Sequence, residues 1–449
     1  MKMKNEIKSI INQNNKEMKT YDKFLTIILA VLMSLPVLGQ QRDLQYFRDP
    51  GQRGINVFET SKLDTIGFDQ LKVRVGGAFA IQYQSLSHSN SATFLDDGEG
   101  NNMNELVGIG SDFNLPTANL DIDVQLARGV RMNLRTYLSS RHHTEVWVKD
   151  GYIQIDRLDF IKDGFANRLM DMATFKVGHM EINYGDAHFR RSDNARAIYN
   201  PFVGNNILDA FTTEVAGEFY LQKNGIIGML GISNGKLNQG VTNSGSTTPA
   251  FYGKIGYDKQ LNNDLRIRLT GSAYYQDKAS SIYLYSGDRA GSRYYTVMQS
   301  VTDESDNFTS GRWNPNYGDK ITAIMVNPFV KWNGWELFGT FETSTGADYK
   351  GSDENRTWNQ FATDLIYRFG PNDNIYVGAR YNTASGKLSN IDIDKVTINR
   401  TQVGFGWFMT NNILAKIEYV NQTYNDYVVD SKYQNGRFNG IMVEAAISF

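Results

Sequence analysis

The stretch 71–85, LKVRVGGAFAIQYQS, decides the fold. Leu71, Val73, Val75, Gly77, Phe79, Ile81 and Tyr83 fall on one face of an extended chain. Lys72, Arg74, Gly76, Ala78, Ala80, Gln82 and Gln84 fall on the other. A strict two-residue period is that of a β-strand, which sends successive side chains to opposite faces. Strands of soluble sandwiches are usually about 5–6 residues long, whereas a tilted strand that crosses a bilayer needs about 9–11. The unbroken alternation here has the membrane-spanning length.

The same alternation recurs down the chain. Leu120, Ile122 and Val124 oppose Asp121, Asp123 and Gln125, and Val130, Met132 and Leu134 oppose Arg131, Asn133 and Arg135. Val215, Gly217 and Phe219 oppose Glu214 and Glu218; Leu265, Ile267 and Leu269 oppose Arg266 and Arg268. The last strand sets Ile441, Val443, Ala445, Ile447 and the terminal Phe449 against Glu444 and Ser448. Residues 145–158 and 172–182 slip phase, the second near Gly178, as a β-bulge would cause.

Connections alternate in length. Short ones fall at 128–129, 223–225, 259–264, 333–334, 370–374 and 410–412, and 159–171 is a longer one in a short slot. Long polar ones fall at 86–117, 139–145, 184–210, 234–249, 277–319, 346–356, 384–395 and 424–438. Asn333-Gly334 between two such strands is a hairpin signal. The pattern predicts an all-β chain: a transmembrane antiparallel β-barrel over 70–449 with about 16 strands (14–18), short periplasmic turns and long external loops. Its outward faces would meet outer-membrane lipid. Trp147, Trp332, Trp335, Tyr367, Phe369, Tyr419, Tyr424 and Phe449 stand near strand ends, where rings form interfacial girdles.

Composition agrees. Aromatics make up 12%, with 25 Tyr, 25 Phe and 41 Gly against 8 Pro, which suits strands and tight turns. The mean hydropathy is -0.43, and beyond the N-terminal segment no apolar run reaches the roughly 20 residues a membrane helix needs. The absence of cysteine removes disulfide scaffolds, thiolate metal sites, cysteine nucleophiles and a lipoprotein anchor.

Residues 1–39 read as an export signal: Lys19 and Lys23 precede an apolar stretch 24–35, and Val37 and Gly39 fit the positions before a cleavage at Gln40. The polar residues before Met18 point to Met18 as the true start. Removal of 1–39 takes away six Lys and three acids and moves the net charge from -2 to -5, which gives no support for nucleic-acid binding. Residues 40–69 form a polar lead-in, periplasmic or resting in the lumen.

Barrels of about 16 strands leave an aqueous channel, so the inward-facing charges are the candidate site. Positive candidates are Lys72, Arg74, Arg131, Arg135, Arg266, Arg268, Arg368 and Arg380; negative ones are Asp121, Asp123, Glu214, Glu218, Asp258, Glu336, Glu342 and Asp364. Two arrangements are open. Arg131 with Arg135 and Arg266 with Arg268 could form positive ladders facing opposed acids Asp121, Asp123, Glu214 and Glu218, setting up a field across the pore. Alternatively, opposite charges pair between neighbouring strands and stiffen the wall. In the third long connection, Arg190, Arg191 and Arg196 stand beside apolar Ile198, Phe202, Val203, Ile207 and Leu208. Loops of such content tend to pack, so this one is expected to fold into the barrel and narrow it, its arginines favouring anions. The alternative is an external loop with solvated charges.

The signal segment, the Phe-terminated last strand, the block VGHMEINYGDAHFRRSDNARAIYNPFVGN (177–205) and GKIGYDKQ (253–260) resemble outer-membrane porins of the Bacteroidetes group, similar in layout to the phosphate-selective porin O and P type. The resemblance implies a passive channel for small hydrophilic solutes or anions, with no cofactor or metal. It also implies a homotrimer as the assembly and recognition of the strand ending at Phe449 by the barrel-assembly machinery. Phosphate does not follow from it residue by residue.

Two other classes compete. A barrel hydrolase would need a base constellation; His179, His188 and Asp186 are the nearest group in sequence, without a nucleophile motif. A structural, adhesive or secretion-associated barrel without an open pore would work through loops 86–117 and 277–319. A channel for long apolar molecules would need an apolar lumen, which the charged inward faces oppose.

Overall fold

The computed structural model describes residues 43–64, 66–138, 146–192, 196–237, 241, 247–286, 294–302, 310–389 and 395–449. The expected export signal, its cleavage point and the connection 139–145 lie outside them. From Leu44 onward the chain is one compact unit.

Its strands are β1 (Lys72–Ser89), β2 (Asp112–Ala127), β3 (Val130–Leu138), β4 (Val146–Ile155), β5 (Ala173–Glu181), β6 (Thr213–Lys223), β7 (Ile226–Ser233) and β8 (Ala250–Gln260). There follow β9 (Leu265–Gln276), β10 (Ile321–Trp332), β11 (Trp335–Ala347), β12 (Asn355–Phe369), β13 (Ile375–Gly386), β14 (Val396–Thr410), β15 (Ile413–Asn425) and β16 (Arg437–Ser448). Each pairs antiparallel with its sequence neighbours, and β1 with β16 closes the ring. The closure is completed by the last residue: Phe449 N–H donates to Gly77 O at 2.9 Å, and Gly77 N–H to Phe449 O at 3.0 Å. Gly76 permits this approach, since a Cβ there would lie 2.5 Å from the Phe449 oxygen. Closure leaves no edge strand, so every wall amide can be satisfied within the sheet.

The two-residue period sorts the faces as the sequence indicates. In β12 the burial alternates residue by residue through most of its length, and Leu230 and Ile255 point outward, each 71% exposed. Short turns use left-handed residues: Asn224 and Gly225 both have positive φ, as a type I′ hairpin requires, and Asn333 (φ 49) turns Trp332 back onto Trp335. Trp335, Tyr367 and Phe369 touch ring to ring at the turn end, with centroids 4.7 and 5.8 Å apart.

Three sequence expectations change. Tyr424 is no girdle residue: it faces inward, 2% exposed, against Tyr427 and Tyr433. Of the two expected phase slips, that in 145–158 is present, as a register shift at Arg135 and Thr136 where β3 meets β4. In β5 the pairing runs unshifted, and Gly178 takes a φ of 145° instead. Third, the parts of 278–318 that are described do not form a free external loop. Tyr285 Oη donates to Glu342 (2.6 Å), Tyr294 Oη to Glu418 (2.7 Å), and Tyr295 exchanges bonds with Gln84 of β1.

A hydrophobic core therefore lies inside the barrel. Ile182, Tyr184, Val203, Ile207 and Leu208 of one inward segment and Leu284, Tyr294, Val297 and Met298 of the other pack on inward Met325, Trp358, Ile398, Phe438 and Met442. Leu230→Arg, placed mid-strand on the lipid face, is expected to cost about 2–4 kcal/mol, whereas Val73→Arg near the turn end should cost about 0–1 kcal/mol. Equilibrium unfolding in liposomes measures both.

Candidate functional site

A barrel of this size is too wide for wall side chains to fill, and segments of the same chain occupy the remainder. The segment 182–212 leaves β5 and crosses to the far wall, satisfying its backbone on inward polar side chains. Asn183 N–H donates to Glu218, Asp186 N–H to Asn327, Leu208 N–H to Gln360, Ile207 N–H to Asn382 and Val203 N–H to Glu418, at 2.6–2.9 Å. Lys416 Nζ donates to the carbonyls of Ala197, Asn200 and Phe202 at 3.0–3.2 Å and is paired with Glu444 at 2.5 Å. The Phe202 ring lies against Gly378 and Gly404, where a Cβ would stand 3.4 and 3.3 Å from it.

The lead-in occupies the turn end of the lumen. Gln45 binds Gln125, Asn56 Nδ2 donates to Glu336 (2.7 Å), and Lys62 Nζ pairs with Asp156 (3.2 Å). Phe58 sits edge-on to Phe189 and Phe329. Glu59 lies between Arg268 (2.8 Å) and Lys254 (3.1 Å), which are also bound by Asp186. Burial pushes the Glu59 carboxyl up, but the Arg268 and Lys254 charges outweigh it and hold the group down to about 2.

Between these fillings and β1–β6 a cavity of about 180 Å³ remains. It runs from Ser448 and Phe449 at the turn end to Asp121, Arg135, Asp150 and Glu181 inside. Its wall charges pair between neighbouring strands: Arg74 with Asp123 (2.7 Å), Arg135 with Asp121 (2.6 Å) and with Asp150 (3.1 Å). Three cations that line the cavity differ, having no carboxylate at ion-pair distance among the described residues. Arg131 donates to Gln154 Oε1 (2.6 Å) and lies over Phe47, with its Nε unbonded. Lys176 lies over Tyr152, 4.2 Å from the ring centre. Arg48 stacks on Tyr199 at 3.6 Å, with one terminal nitrogen unbonded. Burial lowers Arg48 to about 9, which leaves it charged at neutral pH.

The sequence candidates thus divide. Arg131, Arg135, Asp121, Asp123 and Arg196 line the cavity, Arg196 in a 2.6 Å pair with Glu181. Arg266 and Arg268 do not form a free ladder: Arg266 forks onto Asp258, and Arg268 is shared by Asp186, Glu59 and Asp258. Glu214 and Glu218 oppose no arginine ladder. Glu214 accepts from Ser233, and Glu218 from Asn183 N–H, Tyr220 and Tyr252. Arg190 and Arg191 are buried in the filling. Arg191 forks onto Asp209, which Arg312 also binds (2.6 Å). Arg190 bonds Asn56 and stands 3.8 Å from Glu336 and from Asp364. Of the inward pairs, Arg368 with Glu336 and Arg380 with Asp364 likewise brace the wall. His188 contacts Glu181 and Asn183, while Asp186 faces Lys254, Arg268 and Thr270, so those residues do not assemble as a catalytic group. Arg48 and Lys176 escaped the sequence reading. The alternation Phe175, Lys176, Val177 would have placed Lys176 inside had β5 been taken in one phase.

Among solved structures the barrel is similar to an anion-selective porin from Comamonas acidovorans, at 11% identity over 85% of this chain and 100% of that one, with a TM-score of 0.50. It is also similar to the outer membrane channel DcaP of Acinetobacter baumannii, at 12% identity over 85% and 99%, again with a TM-score of 0.50. The fold is the sixteen-stranded transmembrane β-barrel, the architecture of bacterial outer-membrane proteins. No family model matches the chain, and no curated protein does.

The Glu59 anchor has a pH signature. A carboxyl depressed from 4.5 to about 2 adds stability that is complete above about 4.5 and lost as the pH falls through about 2. A nitroxide on Gln52→Cys should stay immobile from neutral pH down to about 4.5 and gain mobility toward 2. Glu59→Gln should give the mobile spectrum already at neutral pH.

Proposed function

We propose that this protein is an outer-membrane porin that passes small hydrophilic solutes by passive diffusion along β1–β6 and prefers anions. The observation that carries the reading is the group of Arg48, Arg131 and Lys176 on one cavity without carboxylate partners. Paired charges contribute little net field, whereas an unpaired cation in a low-dielectric wall attracts a passing anion strongly. The phosphate-selective porin O and P type suggested by residues 177–206 is compatible with this site, and phosphate is the first anion to test. A homotrimer, and delivery of the strand ending at Phe449 to the assembly machinery, belong to the same reading. The exposed Phe449 side chain with a backbone locked into the seam fits recognition before closure.

A second reading rests on how fully the lumen is filled: a structural barrel without through-flow. Liposome swelling with graded sugars separates the two, because only a channel admits small solutes.

Arg131→Glu with Lys176→Glu should turn the reversal potential in a salt gradient from anion toward cation preference. Arg190→Glu with Arg191→Glu should instead impair assembly, since it would press acids onto Glu336, Asp364 and Asp209. An unchanged reversal potential in the first variant would remove these cations from selectivity.

A further inference from the structure

The lead-in is held in a manner unlike the wall. It contributes no strand, and its one backbone–backbone link to the barrel among the described residues is Gln52 N–H to Asn411 O, 2.7 Å. Its other attachments run through side chains and include Gln45 on Gln125, Arg48 on Phe189 O, Asn56 on Glu336 and Arg190, Phe58 among Phe189, Phe329 and Phe338, Glu59 on Arg268 and Lys254, and Lys62 on Asp156 and Thr174. Each can be released without breaking a sheet ladder. Yet this segment supplies Phe47, Arg48, Pro50, Phe58, Glu59 and Thr60 to the inner side of the cavity, opposite the wall of β1–β6. The crossing segment adds Asn183, His188, Phe189, Arg196 and Tyr199 to the same lining, and of the two the lead-in is the part held almost wholly through side chains.

We propose that residues 44–62 form a removable plug that sets the bore of the channel, seated by Phe58 and latched by Glu59 to Lys254 and Arg268. The proposal rests on the channel reading. When the plug is seated, the passage is confined to the cavity along β1–β6. When it leaves, the turn end of the lumen opens toward β8–β12, where Lys254, Arg266, Arg268 and Glu336 now lie beneath it. The segment 182–212 stays, because its backbone is bonded to five inward side chains from β6 to β15.

Single-channel conductance of the full-length protein in planar bilayers tests this. Deletion of residues 44–62 should raise the conductance several-fold and hold it steady. Phe58→Ala with Glu59→Gln, which keeps the segment, should bring frequent openings to the same high level. Because the chain has no cysteine, Lys62→Cys with Thr174→Cys can be bridged by a short bis-thiosulfonate. Added to the Phe58→Ala with Glu59→Gln variant, the bridge should abolish the high level, and reductant should restore it. Wild-type conductance in both the deletion and the double variant would overturn the plug while leaving the channel intact. Absence of conductance in all forms would overturn the channel reading and the plug with it.

Discussion

Peptide groups placed inside this barrel must find partners away from bulk water, and inward wall side chains supply many of them. A lost partner for a buried polar group costs about 1–3 kcal/mol. Lys416 shows the consequence: one ammonium collects three carbonyls of the crossing segment and is neutralised by Glu444. Glu418, Asn382 and Gln360 receive the amides of the same segment. The wall charges are thus first a framework for internal segments and only on one side a lining for water.

That division gives the lumen two halves. From β10 to β16 the inward face carries Met325, Trp358, Ile398, Phe438 and Met442 and is covered by packed chain. From β1 to β6 it carries Arg74, Asp121, Asp123, Arg131, Arg135 and Lys176 and faces the cavity. Pairing between strands neutralises most of these charges and leaves Arg131 and Lys176 of the wall, with Arg48 of the lead-in, outside the pairs.

The barrel was legible because the period of two is a local property: 71–85 alone specifies a strand of membrane length, and turn residues such as Asn333-Gly334 mark where it reverses. Which face is inward was equally legible. Which inward charge is free was not, because that depends on partners distant in sequence. Arg190 and Arg191 look like a cationic loop until Glu336, Asp364 and Asp209 surround them. Arg266 and Arg268 look like a ladder until Asp258, Asp186 and Glu59 arrive. Tyr424 passes for a girdle ring by its place at the strand end, although it shares the inward phase of Lys416, Glu418 and Gln422 in β15. Lys176 is the converse case, a free cation hidden by an apparent phase slip that Gly178 absorbs without shifting the register.

The proposed passage lies along β1–β6 and not under the crossing segment. In this cysteine-free chain a single cysteine reports it directly. A charged thiosulfonate applied during current recording should block the channel promptly in Gln222→Cys, whose side chain lines the cavity. It should leave the current unchanged in Asn382→Cys, where Ile207 covers the wall. Block at Asn382→Cys with none at Gln222→Cys would contradict the account.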